Sequence, residues 1–353
     1  MDERKQTELG GVDVAIPCYQ YGRFLRACVM SVLTQGLKDV RILIIDNAST
    51  DNSAEVAQQL ATEDARIEVV ARRRNLGAVA SFNEGIDWAS SRYFLVLCAD
   101  DRLAPGSLAR AVSIMDQHPE VGFAYGRGAY YHAHDSMPLI DKPRREAAWR
   151  ILSGGEFLER ACRTAMGQND GCATVVRTAT QKHVGHYRPA LPYSADFEMW
   201  LRFARLGPVA VTKSIQGIMG VHDSSVTLVA RRAEHRAGRD RLTLDLWRDK
   251  AAFEVFFAHE GALLPDAARL QRLAERGLAE RAYWSALANL LRGQPATSLD
   301  LLKFALRRRP SSALVPPVGY LLWRDGAGRR MVATVAEMMH RPSASAGAAR
   351  ASG

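Results

Sequence analysis

The chain opens with short apolar runs separated by polar clusters. Val12 to Pro17 is strand-length and stopped by proline, and after the loop Cys18 to Gly22 the residues Leu25, Cys28, Val29 and Val32 recur at helical spacing between Phe24 and Leu33. The same unit repeats. Val40 to Ile45 reads as a fully apolar strand, Asp46 to Ser53 as a turn and Ala54 to Leu60 as a helix, with Ser49, Thr50 and Asp51 all suited to cap it. Arg66 to Ala71 and then Val79 to Ala89 form a third strand and helix, joined by Arg72 to Gly77. A fourth strand, Tyr93 to Cys98, ends in the adjacent carboxylates Asp100 and Asp101. Strands alternating with helices at this rhythm predict an α/β fold with a doubly wound, mostly parallel sheet. In such a sheet, Asp46, the Arg72 to Asn75 run and the Asp100-Asp101 pair all fall at strand C-terminal ends, where ligands bind.

The pattern continues less regularly. Pro105 to His118 reads as a helix, Val121 to Ala133 as a strand or hairpin, and Met137 to Arg150 as a proline- and charge-rich excursion. Glu156 to Thr164 reads as helical and Cys172 to Arg177 as a strand. Phe197, Trp200, Leu201 and Ala204 carry the spacing of a buried helix face, which puts Asp196 in the first turn or at the cap. Val209 to Ile218 is strand-like, and Val221 to Thr227 a polar loop. From about Arg231 the chain turns to Ala, Leu and Arg with helical periodicity. There, Arg269 to Arg292 and Ser298 to Arg308 suggest a helical hairpin around Gly293-Gln294-Pro295, with Leu287 and Leu291 facing Leu299, Leu302, Phe304 and Leu306. Arg341 to Gly353 has the composition of a disordered tail.

Composition narrows the class. The 353 residues are 47% hydrophobic and 24% charged, as in an ordinary globular protein. No apolar run approaches the roughly 20 residues of a membrane-spanning helix. Met1 to Gly11 is a polar leader without a signal-peptide core, so the expectation is a cytoplasmic protein. The five cysteines lack a CxxC spacing and are expected to be buried thiols. A net charge of +9 attracts anionic partners, but no base-reading motif points to nucleic acid. His132, His134 and Asp135, like His183 and His186, lack the further ligands that a zinc site needs.

Adjacent carboxylates repel each other, so Asp100-Asp101 reads either as a solvated turn or as a site where a cation or hydrogen-bonding ligand neutralises them. The wider set of motifs bears on that choice. Ile16-Pro17-Cys18-Tyr19, Ile44 to Asp51, Asn75-Leu76-Gly77 with Asn83-Glu84-Gly85-Ile86, Ala99-Asp100-Asp101, Asp196 to Arg202 and His222 to Ser225 occur in the order of the motifs of family 2 glycosyltransferases, which the chain resembles over roughly residues 12 to 228.

The resemblance implies a GT-A type fold, with a Rossmann-like nucleotide-binding half over 12–101 and an acceptor half over 102–230, to which the helical periodicity adds a C-terminal α-helical region over 231–340. It also implies an inverting transfer from a nucleotide sugar, expected to be a UDP-sugar, to an acceptor hydroxyl with Mn²⁺ or Mg²⁺. By the same resemblance Asp46 reads the base with Asn47 beside it, Asp100 contacts the ribose, Asp101 holds the metal, and Asp196 is the general base. Pro17, Tyr19 and Asn75 lie around the nucleotide sugar, Arg74 is a candidate for the diphosphate, and His222 a second metal ligand or a residue of an exposed turn. Two positions depart from the pattern: Cys98 stands where relatives often have a third acid, and Ala195 where an acid often precedes the base.

Rival readings are a nucleotidyltransferase, which would carry a glycine-rich phosphate loop where Pro17-Cys18-Tyr19-Gln20 stands, and a silent scaffold binding a partner through its helical tail. The acceptor is expected to be a glycan, a lipid-linked molecule or another hydroxyl compound in surface-polysaccharide synthesis. The basic C-terminal helices and Leu314 to Trp323 are candidates for peripheral contact with the inner face of the plasma membrane or for a homodimer.

Overall fold

The computed structural model describes residues 11–132, 148–166, 173–191, 193–223, 225 and 241–324. The polar leader 1–10, most of the Met137 to Arg150 excursion and the tail 341–353 lie outside them.

The first half follows the expected units. Strands β1 (Val12–Cys18), β2 (Val40–Asp46), β3 (Ile67–Ala71) and β4 (Tyr93–Val96) alternate with helices α1 (Gly22–Leu33), α2 (Ser53–Glu63) and α3 (Ala78–Trp88). They pair in parallel as β3-β2-β1-β4. Near-continuous apolar strands require cover on both faces, and they have it. Alternate side chains of β1 divide between two cores: Val12, Val14 and Ile16 face α1, α2 and the later α4, while Ala15 faces α3.

The second half departs from simple alternation. It comprises β5 (Arg102–Leu103), α4 (Ser107–Gln117), β6 (Phe123–His132), β7 (Arg150–Leu152), α5 (Gly154–Thr164), β8 (Val175–Arg177), α6 (Thr178–Val184), α7 (Ala195–Leu206) and β9 (Val209–Val221). Strand β8 is inserted antiparallel between β4 and β6, and the sheet continues through β9 to β5, with β7 also on β9. Most paired residues remain parallel because β6 and β9 run together over their length.

The C-terminal helices are α8 (Arg241–Glu260), α9 (Ala267–Leu291), α10 (Pro295–Arg308) and α11 (Val318–Arg324), and the first three share the core on one face of the sheet. Phe253 meets Phe197 edge to face with ring centroids 5.1 Å apart. Gly277 lets α9 approach α5 so closely that a Cβ there would lie 2.5 Å from the Cys162 carbonyl oxygen. The α9–α10 hairpin forms as expected, but its seam differs. Ala282, Ala286, Leu301 and Phe304 are buried, whereas Leu287, Leu291 and Leu299 are exposed, because α9 turns its apolar stripe toward α5 and α8. The four described cysteines, Cys18, Cys28, Cys98 and Cys162, are free thiols. Among the described residues no helix is long and apolar enough to cross a membrane.

Candidate active site

The C-terminal ends of β1, β2 and β3 lie side by side, since Cys18 is in register with Asp46 and Asp46 with Ala71. The loops leaving these ends are stitched together. Gln20 N–H donates to Ser49 Oγ at 3.0 Å, Tyr21 N–H to Ser53 Oγ at 3.1 Å, and Gly22 N–H to Asp51 Oδ2 at 3.2 Å. Ser49, Thr50 and Asp51 thus serve the neighbouring loop, and α2 begins after them with Asn52 at its cap. Pro17 is half-buried at the rim and Tyr19 is 43% exposed.

Asp46 sits at this rim almost wholly buried. One carboxylate oxygen accepts from Ser49 N–H at 3.2 Å, and the other has no partner in the protein. Native structures rarely leave such an acceptor unmatched. Asn47 is occupied differently. Its side-chain oxygen accepts from Arg72 and Leu76 N–H, both at 3.0 Å, and its amide donates to Asn75 at 2.8 Å. Asn47 and Asn75 therefore brace the loop after β3. Arg72 joins them through Glu84 and Ser81, while Arg74 is exposed.

The acidic pair stands next to this rim, because Ala99 N–H donates to the Pro17 carbonyl at 3.3 Å. Asp101 accepts from Gly220 N–H at 3.0 Å, and Asp100 is bonded to His222 Nε2 at 3.0 Å. Only glycine fits at 220, where a Cβ would fall 2.3 Å from the Asp100 carbonyl oxygen. His222 is buried rather than in an exposed turn. Its ring is held between Tyr21 and Phe24, with centroid distances of 5.2 and 4.5 Å. Dense packing and then the charge of Asp100 push the Asp101 carboxyl well above the usual carboxylate range. Among the described residues, Cys98, Asp100 and Asp101 bring ligand-type atoms within 4.8 Å of one another, and His222 joins them through Asp100. Two hard oxygen donors that repel each other, each with one partner in Gly220 N–H or the His222 ring, fit a divalent cation.

Asp196 approaches from the other side. It occupies the first turn of α7, with Ser194 rather than Asp196 at the cap. Its surface reaches solvent through a cleft, yet the protein crowded around that cleft raises its pKa. Asp196, Asp101 and Cys98 line one cavity of about 260 Å³, together with Tyr187 and Trp200.

A buried ion network fixes this wall. Glu198 is paired with Arg188 and, at 3.0 Å, with Arg202; Arg188 reaches Glu260 at 2.8 Å. Arg202 also donates to the carbonyls of Val184 and His186 at 3.0 and 2.9 Å, and Asn83 holds the backbone of Tyr187 through both of its polar atoms. The helical C-terminus therefore reaches the Asp196 helix through Glu260.

The structure gathers Asp101 and Asp196 at one cavity, His222 beside Asp100, and Asp46 beside them on the sheet rim. Arg74 is exposed on the loop after β3. Sequence reasoning noted Cys98 as a departure within the acidic motif and passed over Tyr187 and Gly220, which carry no local signal.

The chain is similar to known glycosyltransferases. The model of "Glycosyl transferase family 2" matches residues 13–184. Glycosyltransferase GlyG of Streptococcus pneumoniae serotype 4 is 32% identical over 90 residues, covering 26% of this chain and 30% of that protein. An uncharacterized glycosyltransferase of Haemophilus influenzae is 21% identical over 212 residues, covering 56% of this chain and 62% of the relative. The chain thus spans less than two thirds of either relative. Among solved structures, S. aureus TarS 1-349 in complex with UDP-GlcNAc aligns with a TM-score of 0.51 and 13% identity over 86% of this chain and 92% of that one, a likeness of fold. The fold is of the GT-A type, and residues 13–184 are similar to glycosyl transferase family 2.

Proposed function

We propose that the protein is a glycosyltransferase that moves a sugar, with inversion, from a nucleotide-sugar donor, a UDP-sugar in the first instance, to an acceptor hydroxyl. The observation that carries this reading is the single cavity lined by both Asp101 and Asp196. An inverting displacement needs leaving-group stabilisation and a proton acceptor on opposite sides of one carbon, and these two carboxylates supply them.

In this reading the free Asp46 oxygen accepts from the base, and Asp100, held by His222, contacts the ribose. Asp101, with Asp100 and Cys98 near it, would hold a Mn²⁺ or Mg²⁺ ion, which when bound supplies Lewis-acid stabilisation of the charge on the departing diphosphate. Asp196 takes the acceptor proton, and the crowding that raises its pKa makes it a stronger base. Arg188 and Arg202 hold Glu198 and the Tyr187 segment, so that Asp196 keeps its aim. The same fold accommodates UDP-GlcNAc in S. aureus TarS 1-349, which supports a nucleotide-sugar donor.

The test is Asp196→Asn, assayed for sugar transfer and for melting temperature. Loss of general-base help is expected to lower turnover about 10²–10⁴-fold with folding retained. Turnover near the wild-type rate would overturn the base assignment.

A further inference from the structure

The C-terminal helices leave an apolar surface uncovered. On α9, Glu280, Trp284, Leu287 and Leu291 recur every three or four residues and so lie along one line of the helix. The chain leaving α10 crosses this line twice: Arg309 is paired with Glu280, and the Trp284 indole N–H donates to the Pro317 carbonyl at 3.1 Å. Beyond that crossing Leu287 and Leu291, with Leu290 beside them, are exposed, Leu291 to 81%.

The crossing segment adds to the surface. Pro310–Ala313 is a 3₁₀ turn, and its Ser311 carbonyl accepts from Leu314 and Val315 N–H at 3.1 and 2.9 Å. Leu314 and Val315 thus stand on a fixed backbone, Leu314 88% exposed, and Val318, next to Pro317, is exposed as well. Large aliphatic side chains gathered in water mark a surface that meets something.

The charges around it are nearly all of one sign. From Trp284 to Val318 the chain carries Arg292, Lys303, Arg307, Arg308 and Arg309 against the single acid Asp300. Arg292 follows Leu291, and Arg307 and Arg308, both exposed, precede the Leu314 turn, so cations stand at both ends of the apolar residues. An apolar surface with a basic border matches an anionic bilayer, whose headgroups pair with the cations while the acyl boundary takes up the aliphatic side chains. A second copy of the chain fits worse, because a two-fold contact through this surface would bring two basic borders together.

We infer that Leu287, Leu290 and Leu291 of α9, with Leu314, Val315 and Val318, form a docking surface for an anionic lipid bilayer. None of these residues lines the Asp101–Asp196 cavity, so the surface is independent of the sugar-transfer reading.

The test is flotation of the full chain with vesicles of phosphatidylcholine alone and of equal parts phosphatidylcholine and phosphatidylglycerol. Binding is expected to be at least about ten-fold tighter on the anionic vesicles and to weaken as salt rises. Arg307→Gln/Arg308→Gln removes two cations at about five-fold each and should weaken it about 25-fold. Leu314→Ser/Val315→Ser should weaken it at least about ten-fold, and both pairs should keep the wild-type melting temperature because the side chains are exposed. Lys38→Gln/Lys213→Gln takes the same charge from exposed sites elsewhere and is expected within about two-fold of wild type. An equal loss in that pair would mean that net charge alone draws the protein to lipid, and it overturns the inference. So does a failure to float, or unchanged binding in Leu314→Ser/Val315→Ser. A concentration-dependent dimer in light scattering that Leu314→Ser/Val315→Ser abolishes would overturn it too, by giving the surface to a second copy.

Discussion

Two acids at opposite ends of the same sheet are treated very differently. Asp13, near the start of β1, has no exposed surface, yet both its oxygens are occupied. Arg41 donates to them at 2.9 and 2.8 Å, Ser90 and Ser91 N–H at 2.6 and 2.7 Å, and the Ser91 hydroxyl at 2.6 Å. Burial alone would raise its pKa, but these donors outweigh it and the pKa falls below its ordinary value. At the other end, Asp101 has the Gly220 N–H and the repulsion of Asp100, and its pKa rises. Asp46, beside it, keeps one oxygen without a partner. An acid that the protein satisfies by itself supports the fold, whereas in the proposed function the acids left short of donors at strand C-terminal ends are the ones that meet a ligand.

The largest effect that would sharpen this contrast is expected at Asp101. Asp101→Asn should reduce sugar transfer by about 10³-fold or more, equivalent to about 4 kcal/mol of transition-state stabilisation, while the metal-free melting temperature holds or rises because a repelled charge is gone. A large drop in melting temperature would mean that Asp101 is a structural acid like Asp13. Asp13→Asn should do the reverse. Breaking a buried, paired carboxylate costs about 3–5 kcal/mol in urea unfolding, with turnover per folded molecule unchanged.

The pH dependence of that loss follows from the sign of the shift. Asp13 has a folded-state pKa below the ordinary 3.8, so its contribution is complete above the unfolded value and disappears as pH falls through the lower folded one. The stability gap between wild type and Asp13→Asn should therefore be full at neutral pH and close in strong acid. A gap that widened on acidification would contradict the assignment.

Smaller effects separate holding from coordinating. His222→Ala should weaken Mn²⁺ binding about 10–100-fold by releasing Asp100, and His222→Gln, which restores a donor, should recover part of it. Equal losses in both variants would point to direct coordination by the imidazole. Smallest is Arg74→Ala, expected within about two-fold of wild type for an exposed side chain, against a larger loss of nucleotide affinity for Arg72→Ala, which frees Glu84 and the Asn47 brace. The opposite order would restore Arg74 to the diphosphate.

Much of the first half was legible because its signals are local. Apolar runs the length of β1 to β4, interrupted by amphipathic helices, admit few arrangements other than a parallel sheet, and strand C-terminal ends then collect Asp46, Asp100 and Asp101 on one rim. The second half was less so. The antiparallel insertion of β8, three residues long, between β4 and β6 depends on pairing between segments about eighty residues apart, and nothing in Val175 to Arg177 announces its neighbours. The exposed Leu287, Leu291 and Leu299 were read as a seam because spacing reports which residues share a helix face, not which face meets the core.

The sequence by itself determined the alternating α/β order, the placing of acids at strand ends and the existence of a helix beginning at Asp196, all properties of short stretches. Tertiary structure alone decided that Asp196 and Asp101 line one cavity, that His222 is bonded to Asp100, and that Glu260 reaches the wall of the site from the C-terminal helices. Each of these joins residues far apart in the chain, and such contacts are chosen by the packing of the whole core rather than by the pattern of any one segment.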